Sequence, residues 1–190
     1  MAQADPMRAG LPALPGVYAL ILFCPRERRI AVGALGVRRF PAGWYVYVGS
    51  ACGPGGLRGR AGRHLGGGRG SPRWHIDFLR RAAAARELWC LPGAPARAEH
   101  RLAALFARSP EASVPVPRFG ASDCRCRAHL FAFAAKPRPE PLAAHLAGLA
   151  GPGGGPLRVF SLPLRTADLA KAPEMVYSPR KRLGRRTGKR

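Results

Sequence analysis

Acidic residues are what this sequence has least of: ten Asp and Glu stand against 32 Lys and Arg in 190 residues, a formal net charge of +22. A field of that sign concentrates polyanions and speeds their encounter, so nucleic acid is the expected partner, DNA first and RNA second. Lysine is scarce too, with Lys136, Lys171, Lys181 and Lys189 the complete set. With the excess of Ala, Gly and Pro this points to a coding bias toward Arg, which adds background charge but does not explain the missing acids. The five cysteines are odd in number and no export signal accompanies them, which argues against a disulfide framework. No apolar run approaches the roughly 20 residues of a membrane span. The best run, residues 16–24, is closed by Pro25 and Arg26, and Met1 to Pro15 lacks the basic-then-apolar layout of a secretory leader. The expected location is the cytoplasm of a prokaryote, on the nucleoid when bound to DNA, without a membrane partner.

What is present suits one domain plus tails. Hydrophobic residues make up 47% of the chain, enough for a core, while 24 Gly and 20 Pro call for many turns. GVYALILF (16–23) reads as a buried strand, Ile30 to Leu35 as a second, and the β-branched and aromatic stretch Gly43 to Gly49 as a third. Their short connections favour an antiparallel meander. Helices are expected at Leu57 to Leu65, from Ser71-Pro72 through Leu79, at Pro95 to Ala107 and at Pro141 to Ala150. Strands are expected at Glu87 to Leu91 and His129 to Ala134, with a turn between Phe119 and Cys126. The expected organisation is an α/β domain over residues 12–150, a Gly/Pro linker at 151–156, and an extension at 157–190. Residues 157–177 would add a strand or dock loosely, and the flexible basic tail begins at Ser178.

Phosphodiester hydrolysis needs an activated oxygen nucleophile, a cation at the phosphoryl oxygens and usually a carboxylate-held metal. Asp5 and Asp168 lie outside the compact region, Glu27 and Glu111 sit in turns, and Asp77, Glu87, Glu99 and Asp123 stay as candidates. Glu99 is the carboxylate within the amphipathic helix at 95–107. Arg60 and His64, four apart on one helix, share a face, one suited to clamping phosphate and the other to moving a proton. Tyr18, Tyr45 and Tyr47 lie on the strands nearby. Trp74 and Phe78 read as core, with His75 and Asp77 orienting their helix or meeting DNA. Candidate nucleic-acid contacts are Arg58, Arg63 and Arg73, with Lys181, Arg182, Arg185 and Arg186 in the tail.

Gly16-Val17-Tyr18, Tyr47-Val48-Gly49, Arg60 with His64, and Glu99 follow, in order, the motifs of the GIY-YIG nuclease superfamily, which the chain resembles over roughly residues 15–135. The words GWYVYVGSA (43–51), GLRGRAGRHL (56–65), WHIDFL (74–79) and FGASDCRCRAHLF (119–131) make it most similar to a family of stand-alone prokaryotic GIY-YIG-like domains. The resemblance implies a small antiparallel sheet flanked by helices and one-metal cleavage of DNA, in repair or processing. It also implies roles: Tyr18 as general base or water-positioner, Tyr47 in support, Arg60 on the scissile phosphate, His64 as a polar helper, and Glu99 holding a divalent ion, magnesium or in its place manganese. One departure is that residues 19–46 separate the two short motifs, a gap that an inserted strand pair accounts for.

Two rival readings accompany this one. The first is a nucleic-acid-binding module that keeps the fold without cutting. The second is a zinc-stabilised structural or adaptor protein using Cys124, Cys126 and His129. Zinc is the lesser expectation, because no CxxC completes the ligand set and Cys90 or His100 contributes only if the fold brings it close.

Overall fold

The computed structural model describes residues 10–66, 71–150 and 154–162. Among the described residues seven strands run β1 Gly16–Cys24, β2 Arg28–Ala31, β3 Val37–Phe40, β4 Gly43–Ser50, β5 Ala84–Pro92, β6 Leu130–Phe133 and β7 Arg158–Ser161. The helices are α1 Gly56–Arg63, continued by a 3-10 turn His64–Gly66, then α2 His75–Leu79, α3 Ala98–Arg108 and the short α4 Ala143–Ala147. Five strands form one sheet in the order β6-β4-β1-β5-β7, and every pairing in it is antiparallel. The architecture is therefore α/β, with helices on both faces of an antiparallel sheet.

The sheet is covered on both sides, which is why β1 reads as a continuous apolar run rather than an alternating one. Val17, Ala19 and Ile21 point to one face, where they pack with Trp89, Leu102 and Phe106 beneath α3. Tyr18, Leu20 and Leu22 point to the other, against Leu57, Ala61, Ile76 and Leu79 of α1 and α2.

The expected three-strand meander is corrected. Ile30 to Leu35 is not one strand: β2 stops at Ala31 and a 3-10 turn follows at Gly33–Leu35. β2 pairs with β3 in a separate two-stranded sheet, so β4 returns directly alongside β1. β3 (VRRF) has three exposed residues and carries no apolar alternation to announce it. The β2–β3 hairpin occupies the stretch between β1 and β4, and it leaves Tyr18 and Tyr47 as near neighbours.

Helix starts also shift. α2 begins at His75 rather than near Ser71-Pro72, because Asp77 Oδ2 accepts hydrogen bonds from the backbone N–H groups of Arg73 (2.8 Å) and Trp74 (3.1 Å). Of the two outcomes expected after residue 157, the strand is found: β7 pairs with β5 from Cys90↔Arg158 to Glu87↔Ser161. Part of the linker (151–153) and the whole basic tail lie outside the described residues. Among the described residues, no helix is long and apolar enough to cross a membrane.

Candidate active site and metal-ligand cluster

The β1–β4 register explains the two short tyrosine motifs. Tyr18 lies directly opposite Gly49, and Leu20 opposite Tyr47, so both phenols project from one face. A Cβ at position 49 would stand 2.5 Å from Tyr18 Oη and 2.6 Å from its Cζ, so the Tyr18 ring fills the space a side chain would take. The glycine is required by its cross-strand partner. Gly49→Ala is therefore expected to displace the Tyr18 ring and cost about 1–3 kcal/mol, as overpacking of a tight core does; a thermal melt of the variant checks this, and an unchanged Tm would contradict it.

Tyr18 Oη is 2.9 Å from His64 Nε2. The Tyr18, Tyr47 and His64 rings lie within 5.7–6.5 Å of one another, centroid to centroid. Burial pushes the Tyr18 phenol well above its ordinary value; Tyr47 and Glu99 add to the shift while Arg60 opposes it. Burial raises Tyr47 as well. Tyr45 stands apart, its hydroxyl donating to the Pro41 carbonyl.

His64 falls in the 3-10 turn just past α1, one turn beyond Arg60. Burial lowers its pKa to about 4, with Asp77 opposing and Arg63, Arg80 and Arg60 reinforcing. Its Nδ1 lies 3.8 Å from Asp77 Oδ1. A carboxylate on that side favours the Nδ1–H tautomer, which leaves Nε2 to accept from the Tyr18 hydroxyl. Asp77 Oδ2 also accepts from Arg63 at 3.0 Å, so Asp77 ties together the α2 start, Arg63 and His64. Sequence reasoning kept Asp77 as a candidate carboxylate that orients its helix or meets DNA; its place behind His64 depends on how α2 packs against α1.

Arg60 lies between the phenol and Trp74. Its guanidinium carbon is 4.6 Å from the Trp74 ring centroid, and that of Arg63 is 3.9 Å from the same ring. Arg60 Nε is buried with no hydrogen-bond partner. Arg58 Nε donates to the Leu11 carbonyl at 2.8 Å, and Arg73 is exposed. Lys181, Arg182, Arg185 and Arg186 lie outside the described residues.

Glu99, in the first turn of α3, comes to the same end of the sheet. Burial pushes its carboxyl up, but contacts with the His129 ring and the Ser50 hydroxyl and the charge of Arg60 outweigh this and hold it below its ordinary value. Oε1 is 3.0 Å from His129 Nδ1, although off the line of a straight hydrogen bond. The other candidate carboxylates have different uses. Glu87 accepts from Trp89 Nε1 at 2.9 Å and pairs with Lys136, Asp77 is engaged as above, and Asp123 is exposed.

On the far side of His129, four potential metal ligands meet. The donor atoms of His100, Cys124, Cys126 and His129 all lie within 4.8 Å of one another. Burial and the neighbouring Cys124 thiol push Cys126 up to about 11. Cys90 takes no part: it is buried in the core on β5.

Residues 17–149 match the family model described as Domain of unknown function DUF123. The chain belongs to the DUF123 family. The match runs from the start of β1 to just past α4, so the DUF123 domain contains the tyrosine pair, Arg60, His64, Glu99 and the Cys/His cluster. No curated protein and no solved structure matches the chain. Within the DUF123 domain the five residues expected at a catalytic site come together, with Glu99 turned in part to His129.

Proposed function

We propose that this DUF123 domain is a metal-dependent endonuclease of the GIY-YIG kind, hydrolysing phosphodiester bonds of DNA in repair or processing. The observation that carries the reading is Arg60. Its Nε is buried without a partner beside a hydrogen-bonded phenol–imidazole pair. A spare guanidinium donor next to a proton-transfer pair is what a phosphodiester in the site demands. Glu99 fits a hard divalent cation, since it is held ionised and magnesium accepts one protein carboxylate plus waters. Magnesium or manganese bound there supplies positive charge for the phosphoryl oxygens.

The remaining work falls to side chains. Arg60 binds the non-bridging oxygens and stabilises their charge as the water oxygen bonds to phosphorus and the bond to the leaving oxygen breaks. The water proton passes to Tyr18 Oη while the phenol proton moves to His64 Nε2, and the leaving alkoxide takes a proton from solvent. Burial raises the Tyr18 pKa and keeps the hydroxyl neutral at rest, so in this reading it passes a proton on rather than starting as phenolate. Asp77 behind His64 stabilises the imidazolium that results. Arg58, Arg63 and Arg73, with Lys181, Arg182, Arg185 and Arg186, hold the backbone of the nucleic acid, and the place of work is the cytoplasm, on nucleoid DNA.

One observation favours a second reading. Tyr18 is 1% exposed and Tyr47 6%, as core residues of a binding module that does not cut would be. The two are separated by incubating the full chain with plasmid, branched DNA and RNA in magnesium, manganese or chelator, beside Arg60→Ala. The nuclease reading expects metal-dependent cleavage that Arg60→Ala slows by about 100- to 1,000-fold. Binding without cleavage supports the module, and cleavage indifferent to Arg60 contradicts the assigned site.

A further inference from the structure

We propose that His100, Cys124, Cys126 and His129 hold one zinc ion tetrahedrally, and that Glu99 is the outer carboxylate orienting His129. The inference does not rest on the nuclease reading. It begins with the loop that carries the thiols. Residues 118–129 are closed at their base by main-chain hydrogen bonds from Arg118 N–H to the Arg127 carbonyl (2.7 Å) and from His129 N–H to the Phe119 carbonyl (2.8 Å). Arg118, in the left-handed region at φ 66°, then turns its guanidinium inward, donating to the carbonyls of Ser122, Cys124 and Cys126. The loop backbone is thus fixed from within, and Cys124 and Cys126 are presented toward the first turn of α3, where His100 stands.

The distances suit a metal. Zinc about 2.3 Å from sulfur and about 2.0–2.1 Å from nitrogen, at tetrahedral angles, sets sulfur–nitrogen separations of about 3.5 Å. Cys124 Sγ is 3.5 Å from His129 Nε2, and Cys126 Sγ is 3.4 Å from His100 Nδ1. Two soft sulfurs and two imidazole nitrogens form a zinc-type donor set rather than a magnesium-type one. His129 faces the thiols with Nε2, and its Nδ1 lies 3.0 Å from Glu99 Oε1. A carboxylate on the second nitrogen is the arrangement that fixes the tautomer of a zinc-bound histidine. Gly120 ties the loop to the tyrosine site, since a Cβ there would stand 2.9 Å from the Tyr47 ring and 3.1 Å from His129 Cβ. The fourth ligand, absent from the C-x-C-x2-H spacing of residues 124–129, is His100, which stands 26 residues before Cys126 on a different element.

The test is zinc content of the purified full chain together with cobalt(II) titration of the zinc-depleted chain. Expected are one zinc per chain and, with cobalt, a sulfur-to-metal charge-transfer band with the intense visible absorption of tetrahedral coordination. Cys126→Ser should weaken that band and lower zinc retention. Glu99→Gln should keep the band at saturating cobalt but weaken zinc affinity by about 10- to 100-fold, and Arg60→Ala should leave zinc content unchanged. Absence of zinc combined with no thiolate band on adding cobalt overturns the proposal, as does full zinc retention by Cys126→Ser. Cleavage activity enters none of these readouts, so the zinc site and the nuclease reading stand or fall separately.

Discussion

Tyr18→Phe is expected to slow phosphodiester cleavage by about 100- to 10,000-fold, the range that a positioned proton-transfer group contributes. The substitution removes one oxygen and leaves the ring that fills the space over Gly49, so packing on that face of the sheet is preserved. The expected effect is chemical: His64 Nε2 loses the hydroxyl 2.9 Å away, and in the proposed mechanism the attacking water loses its proton acceptor. On the proposed reading the arginines bind the DNA, so binding should change little. Single-turnover cleavage and a binding titration on the same preparation separate the two. A rate within a few-fold of wild type would remove Tyr18 from the chemistry.

The second large effect is on stability against pH. His64 in the unfolded chain takes up a proton near pH 6.5, whereas burial in the folded protein lowers that value to about 4. Between these values the unfolded state binds more protons, so stability falls as pH falls through the window from 6.5 to 4. The full loss attributable to this group is roughly 3 kcal/mol. Urea unfolding at pH 7.5, 5.5 and 4.5 should show it in wild type, with a shallower dependence in His64→Gln. Equal slopes for the two proteins would mean that His64 is not held neutral by the fold. Glu99, whose carboxyl is also held low, loses stability in the same direction at more acidic pH.

How much of this was legible in the sequence depended on the range over which each feature is set. β1 was plain because both its faces are buried, and α3 because its apolar residues recur at helical spacing. β3 was not, since a hairpin strand with three of its four residues exposed, two of them arginines, has no period to detect. The five candidate site residues could be named from motif order. Their convergence could not be derived locally, because it depends on Tyr18 pairing with Gly49 across the intervening β2–β3 hairpin. Asp77 and His100 show the limit most clearly. Asp77, read as a candidate carboxylate that orients its helix or meets DNA, stands behind His64; His100, read as a ligand only if the fold brings it close, meets Cys124, Cys126 and His129 where α3 lies beside the 118–129 loop.

The central claim is that the phenol, imidazole and guanidinium on this face act as one phosphodiester site. It is tested most directly by single-turnover cleavage of DNA in magnesium by wild type, Tyr18→Phe, Arg60→Ala and the double variant. Residues that act as a unit are strongly non-additive. The account predicts metal-dependent cleavage by wild type, a large loss in each single variant, and a double variant hardly slower than the worse single one. No cleavage by wild type, or rates that ignore both substitutions, would contradict it.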